Sequence, residues 1–168
     1  MEMLIGLAFI ITLLFGVFAI PAGMLASKAY RATKGEKPDG IRAIYCYLPM
    51  YNIIYARKQL YGASPVFTIG AVIIALLSMF RMVSLVFLTA VPVLTVYSSM
   101  GMLLAIALFY IMCIIHAVDI CRMIDGGVLT LALSVVVPPL AMYILSLKML
   151  PYFRDVKEDL DDTFAAQN

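Results

Sequence analysis

The chain has 168 residues, 64% of them hydrophobic and 13% charged, with a formal net charge of +2. Soluble domains carry roughly a quarter charged residues, so this composition excludes an ordinary water-soluble fold. The small net charge gives no reason to expect nucleic acid as a partner.

Apolar runs cover residues 3–26, 63–80, 82–118 and 128–147. Each is near or above the ~18–20 residues that a helix needs to cross a ~30 Å hydrocarbon core. Stretches such as VIIALL and LLAIAL do not alternate, which argues against a membrane β-barrel. In lipid each backbone polar group needs a partner within its own segment, so helices are expected. The expected fold is all-α: one membrane domain, a polytopic transmembrane helical bundle.

The first span, about 3–26, begins MEML with no basic n-region and is too long for a cleaved signal core. It is expected as a retained helix with its N-terminus outside, kinked near Pro21 and Gly23. A basic loop comes next at 27–42, carrying Lys28, Arg31, Lys34, Lys37 and Arg42, and Arg57 and Lys58 come soon after. Seven of the twelve bases therefore lie between 28 and 58, which places that segment in the cytoplasm by the positive-inside rule. The same seven bases are a candidate surface for anionic lipid headgroups or a partner. Asp39 is a candidate N-cap for a helix starting near residue 40. Segment 43–62 holds Tyr45, Tyr47, Tyr51, Tyr55 and Tyr61 around Pro49, and it reads as an amphipathic stretch lying along the interface. A re-entrant path is the alternative, and it would bury Asn52 and Pro49.

The second span, about 64–88, opens at Ser64-Pro65, a cap followed by a proline in the first turn. It contains Arg81, which in mid-helix needs an acid or carbonyl partner. The third span is expected at about 100–124, after a TAVPVLTVYSS connector, and the fourth at about 128–150, broken by Pro138-Pro139. Four spans place eight bases inside and four outside; five spans, broken at Arg81 and at Ser98-Ser99-Met100-Gly101, give ten and two. Charge bias favours five. The absence of turns long enough for three consecutive short spans favours four, as does a faint echo between RKQLYG (57–62) and CRMIDG (121–126). Four is the expectation, with five as the alternative. The tail, 151–168, is acidic and expected to be solvated.

The segment IMCIIHAVDICRMIDGG (111–127) concentrates the chemistry. Cys113, His116, Asp119 and Arg122 occur at intervals of three, so each reaches the next on a helix, although the set winds around the axis. As a metal site it converges poorly and has no second cluster to complete it, so no metal is expected. The favoured reading is structural. Asp119 pairs with Arg122, which snorkels to the headgroups, Asp125-Gly126-Gly127 forms a left-handed cap, and His116 bonds a neighbouring helix. Cys46, Cys113 and Cys121 are expected as free buried thiols. Ala71/Ala75 and Gly101/Ala105 have the small-x-x-x-small spacing of close helix contacts.

The LPMYN segment (Leu48 to Asn52), the base-plus-glycine turn from Arg122 to Gly127, and Pro138-Pro139 in the last helix resemble a loose group of small, uncharacterised bacterial polytopic membrane proteins. That group has an I-P-x-Y-N-like segment after its first transmembrane helix. The likeness covers about two-thirds of the chain. Aromatic residues usual after the first turn of the group are absent, and this chain has no tryptophan. The resemblance implies a helical, bacterial membrane protein and no particular activity.

No nucleophile elbow, zinc-protease motif, phosphate-binding loop or aspartate pair is present, so neither an enzyme nor a cofactor is expected. The expectation is a non-catalytic integral membrane subunit of the cell (inner/plasma) membrane, dissolved in the lipid bilayer. It assembles through its helix faces into a homo-oligomer or with other membrane subunits. The alternative is a small oligomeric channel or transporter with a pathway near His116, Asp119 and the Pro138-Pro139 break.

Overall fold

The computed structural model describes residues 2–48, 50–87 and 92–166, with side chains described for 17–48, 50–85 and 93–154. Pro49 and Thr89 lie outside the described residues, and the side chains of most of the acidic tail are likewise outside. The described residues form seven helices and no strand: α1 (Glu2–Lys34), α2 (Gly40–Tyr47), α3 (Tyr51–Tyr61), α4 (Pro65–Phe87), α5 (Pro92–Met123), α6 (Val128–Val136) and α7 (Pro138–Ala166). Two helical segments among the described residues are long and apolar enough to cross a membrane, Pro65–Leu85 and Val93–Met123. The expected four-span bundle is thus not confirmed among the described residues, and much of the first expected span, about 3–26, has side chains outside them.

The α4–α5 pair is an antiparallel hairpin. A Cβ on Gly70 would meet the Met112 sulfur, and one on Gly101 would touch Leu77. Gly101 and the buried Ala105 thus face α4, as their spacing suggested. Along the opposite faces, Val66, Ile69, Val72, Leu76, Leu103 and Leu104 are exposed. An exposed apolar surface of this extent is a liability in water and suits contact with lipid or another helix. Helix α5 begins at Pro92, so the connector expected over 89–99 is largely helical: Thr95, Ser98 and Ser99 bond inward, and the turn shortens.

The largest departure lies near the end of the chain. The span expected over 128–150 is two helices that double back. A continuous helix would separate residues 126 and 148 by about 33 Å. Instead, the Lys148 ammonium donates to the Gly126 carbonyl at 2.8 Å, and a Cβ on Gly126 would lie 3.1 Å from Leu145. Pro138 and Pro139 have no N–H to continue α6, and the chain reverses at Val137. The Val136 carbonyl left over by the break accepts a hydrogen bond from the Tyr110 hydroxyl of α5 at 2.9 Å. The acidic tail, expected to be solvated, continues α7 as helix to Ala166.

The tyrosine-rich segment is built the same way. Helices α2 and α3 double back on each other, with Tyr45 against Tyr51 and Tyr55. They pack on α1, and Tyr47 and the Cys46 carbonyl lie over Gly23. Asn52 is fully buried at the turn, where its amide donates to the Ala19 carbonyl and its oxygen accepts from the Ile53 N–H. That satisfaction removes the objection to burying Asn52, and the segment is a helical hairpin packed on α1 instead of one continuous stretch. Asp39 caps α2 with its backbone carbonyl, not its side chain.

The molecule is therefore a tandem: a long helix followed by a two-helix hairpin, twice, with α4 between. Pro49 falls 15 residues after the end of α1, and Pro138 falls 15 residues after the end of α5. Helix α7 packs along α1, and Ala22, Leu25, Ala26 and Ala29 of α1 share one buried core with Ala141, Met142, Leu145 and Met149 of α7. The small residues allow close approach.

At the α5 terminus the expected glycine cap is shifted. The Gly126 N–H reaches back to the Cys121 carbonyl at 2.8 Å, the outer bond of a Schellman cap. The left-handed position is Asp125, with φ 46°, and Gly126 serves instead for its closeness to Cys121 and Leu145. Asp125→Gly is expected to raise stability by about 0.5–1 kcal/mol, read as a higher unfolding midpoint in detergent.

Candidate functional site

Helix α3 delivers Arg57 to α5, and the expected Asp119–Arg122 pair does not form. Asp119 accepts a hydrogen bond from the Arg57 guanidinium at 2.7 Å, while Arg122 is exposed. A buried cation gains more from a carboxylate than an interfacial arginine does, because Arg122 is already solvated. Arg57 is 12% exposed and Asp119 is 34% exposed. The guanidinium also stacks on Phe67, 3.9 Å from its ring centroid, and lies 5.2 Å from the Tyr61 centroid. One side chain thus ties α3 to both α4 and α5.

His116, one turn before Asp119, is fully buried. The expected hydrogen bond to a neighbouring helix is not made: neither ring nitrogen has a partner. Cys113, a further turn back, is buried as a free thiol, as are Cys46 and Cys121. No group of three or more His, Cys, Asp or Glu side chains able to hold a metal occurs among the described residues.

Burial pushes the Tyr61 phenol up to about 12, with the Asp119 charge adding to the rise and Arg57 opposing it. Tyr61 favours folding fully below its ordinary value near 10, and this contribution is lost as pH rises from there toward 12. Absorbance titration at 295 nm should accordingly show a late phase after the exposed tyrosines, in which buried Tyr55 is also raised, and Tyr61→Phe should remove one equivalent from it. Burial likewise raises the Cys46 thiol.

Arg81 forms a second polar node. It donates to the Ser98 hydroxyl at 2.9 Å and to the Thr95 carbonyl at 3.3 Å, and Ser98 bonds Ser84 at 2.9 Å. The carbonyl partner that a mid-helix arginine requires is supplied by the facing helix. Arg81→Met should change stability by less than about 1 kcal/mol, because Ser98 keeps Ser84 and the Thr95 carbonyl while a costly charge is removed. A larger loss in detergent unfolding would mean that Arg81 holds the hairpin together.

The remaining bases of the candidate surface are mostly exposed. Arg31, Lys34, Lys37 and Lys58 are exposed, and Lys28 is partly covered. Arg42 is held by the Tyr30 hydroxyl at 2.7 Å and by Glu36 at 3.5 Å, so it braces the α1–α2 loop. Sequence reasoning missed the Arg57–Asp119 pair, the Tyr110–Val136 bond and the Lys148–Gly126 bond. Each joins residues more than twenty positions apart and carries no local spacing signal.

Fold and site together define a class: among the described residues, an all-α protein with two helices apolar and long enough to cross a membrane. No family model, curated protein or solved structure matches the chain.

Proposed function

We propose that this protein is a non-catalytic integral membrane subunit that assembles through its helix faces with copies of itself or with other membrane proteins. One observation carries the reading. The three basic groups embedded among the helices, Arg57, Arg81 and Lys148, each bond an internal carboxylate, hydroxyl or carbonyl, while the outer faces of α4 and α5 are apolar. Polar groups committed to internal structure leave the helix faces as the surface available to partners.

The proposed topology has three transits, α1, α4 and α5, with the α2–α3 and α6–α7 hairpins entering from the same side. At about 1.5 Å per residue, the nine residues of α6 rise only about 13 Å, less than half a bilayer core. This arrangement gathers every base except Arg81, eleven of the twelve, on the side of the α1–α2 loop. That is a sharper positive-inside bias than four or five full spans give. The N-terminus is outside and the C-terminus in the cytoplasm of a cell (inner/plasma) membrane. The cytoplasmic rim of bases suits anionic headgroups.

A second reading, a small channel or transporter, draws on the two hairpin turns. Asn52 bonds Ala19, and the adjacent Phe18 packs on Tyr110, which bonds Val136. Both turns thus reach one level of α1, as interrupted helices do around a pathway.

Size analysis in detergent, cross-linking in native membranes and ion flux in liposomes separate the two. A defined oligomer or co-purifying assembly without flux supports the subunit. Selective ion flux by the unaltered protein, lost in an Asp119→Ala variant that keeps its oligomer and its unfolding transition, establishes the pathway instead. Topology is read from Arg81→Cys, expected to label from outside, and Gln167→Cys, expected to label only from inside. Outside labelling at 167 would restore an even number of spans.

A further inference from the structure

We infer that an internal water site lies between Arg57 of α3 and His116 of α5. Among the described residues, the only buried side-chain nitrogen or oxygen atoms without a hydrogen-bond partner are Arg57 Nε and the two ring nitrogens of His116. Arg57 and His116 are linked through Asp119: Asp119 receives Arg57, and His116 stands one helical turn from Asp119 on the same helix. Buried polar atoms are rarely left unpaired, and three unpaired atoms on two helices joined by the Arg57–Asp119 bond call for a partner.

The chemistry of the three atoms selects that partner. Arg57 Nε is a donor only, and neutral imidazole presents one donor and one acceptor. A water molecule accepts from Arg57 Nε–H and donates to the unprotonated ring nitrogen, and the ring N–H donates to a second water. A metal ion is unsuited, because Arg57 presents a positive, donor-only group. A second anion is disfavoured because Asp119 already neutralises that charge. Chains of this size hold on the order of six buried waters, at roughly one per 27 residues, so the site needs no unusual hydration. With water in place, His116 joins the Arg57–Asp119 pair in one network linking the first hairpin to α5. This holds under either functional reading above.

The chain has a single histidine, so labelling all histidine with 13C and 15N gives one imidazole signal set. In detergent-solubilised protein, the His116 ring protons should show cross-peaks to long-lived water, and one ring nitrogen should have the shift of a hydrogen-bond acceptor. Absence of the water cross-peaks overturns the proposal. Stability gives an independent reading. If water bridges the pair, His116→Leu leaves Arg57 Nε without its partner and lowers the unfolding midpoint by roughly 2–4 °C, the shift for one lost hydrogen bond in a chain of this size. If the ring is held unsatisfied, the apolar replacement leaves the midpoint unchanged or raises it, and the site is refuted. Arg57→Lys, which keeps a charge for Asp119 but has no Nε donor at that place, should remove the acceptor shift of the unprotonated ring nitrogen while the ring N–H keeps its own water and His116 stays buried. An unchanged acceptor shift in that variant would refute the bridge to Arg57.

Discussion

Asp119→Ala is expected to destabilise the protein by about 2–4 kcal/mol, the largest effect of any single polar substitution described. Removing one member of a buried ion pair costs about 3–5 kcal/mol, since the other charge stays buried without compensation. The figure is reduced here because Asp119 is a third exposed and solvent can reach the vacated position. Arg57 has no alternative acid within its ring of contacts: Phe67 and Tyr61 offer aromatic faces only. The change should appear in urea or thermal unfolding in detergent as a lower midpoint and as easier proteolysis at the α3–α4 turn. The double variant Arg57→Met/Asp119→Leu should recover much of the loss, because it removes both charges. If Asp119→Ala unfolds like the parent protein, the pair contributes nothing and the α3–α5 contact rests on packing alone.

The second large effect is expected at Gly23. A Cβ there would lie 2.4 Å from a Tyr47 ring carbon and 3.0 Å from the Cys46 carbonyl oxygen. The ring can rotate away, but the carbonyl belongs to the α2 backbone and cannot. Gly23→Val should therefore cost about 1–3 kcal/mol by pushing the first hairpin off α1. Gly101→Ala is the matched control: its added carbon would sit 3.5 Å from Leu77, an ordinary contact, and should be close to neutral. Equal unfolding midpoints for the two variants would show that α2 does not pack tightly on α1. The expectation of a kink at Gly23 looked only along its own helix; the role the structure gives it comes from α2.

The range of each interaction decides how much of it shows in a sequence. The all-α character was legible because an apolar run announces itself residue by residue. Arg81 was legible as a problem, since a charge within such a run needs a partner, and α5 supplies one. The hairpins were not legible. An apolar segment of about 23 residues has the same composition whether it crosses once or turns at its centre, and Pro138-Pro139 signal an interruption without its angle. The count of bases per side pulled against four full spans, and the proposed topology, with both hairpins entering from one side, would gather eleven of the twelve there. The Asp119–Arg122 spacing misled because i,i+3 partners are visible in sequence, whereas Arg57 is 62 positions away.

The seam between α1 and α7 has a consequence for how the chain is made. Helix α1 packs along α7, which is encoded far downstream in the message, with the other five helices between them in order of synthesis. Until α7 arrives the part of α1 that it covers has no permanent occupant, so chains interrupted upstream of residue 138 should remain open to degradation. Closure of the bundle waits on α7.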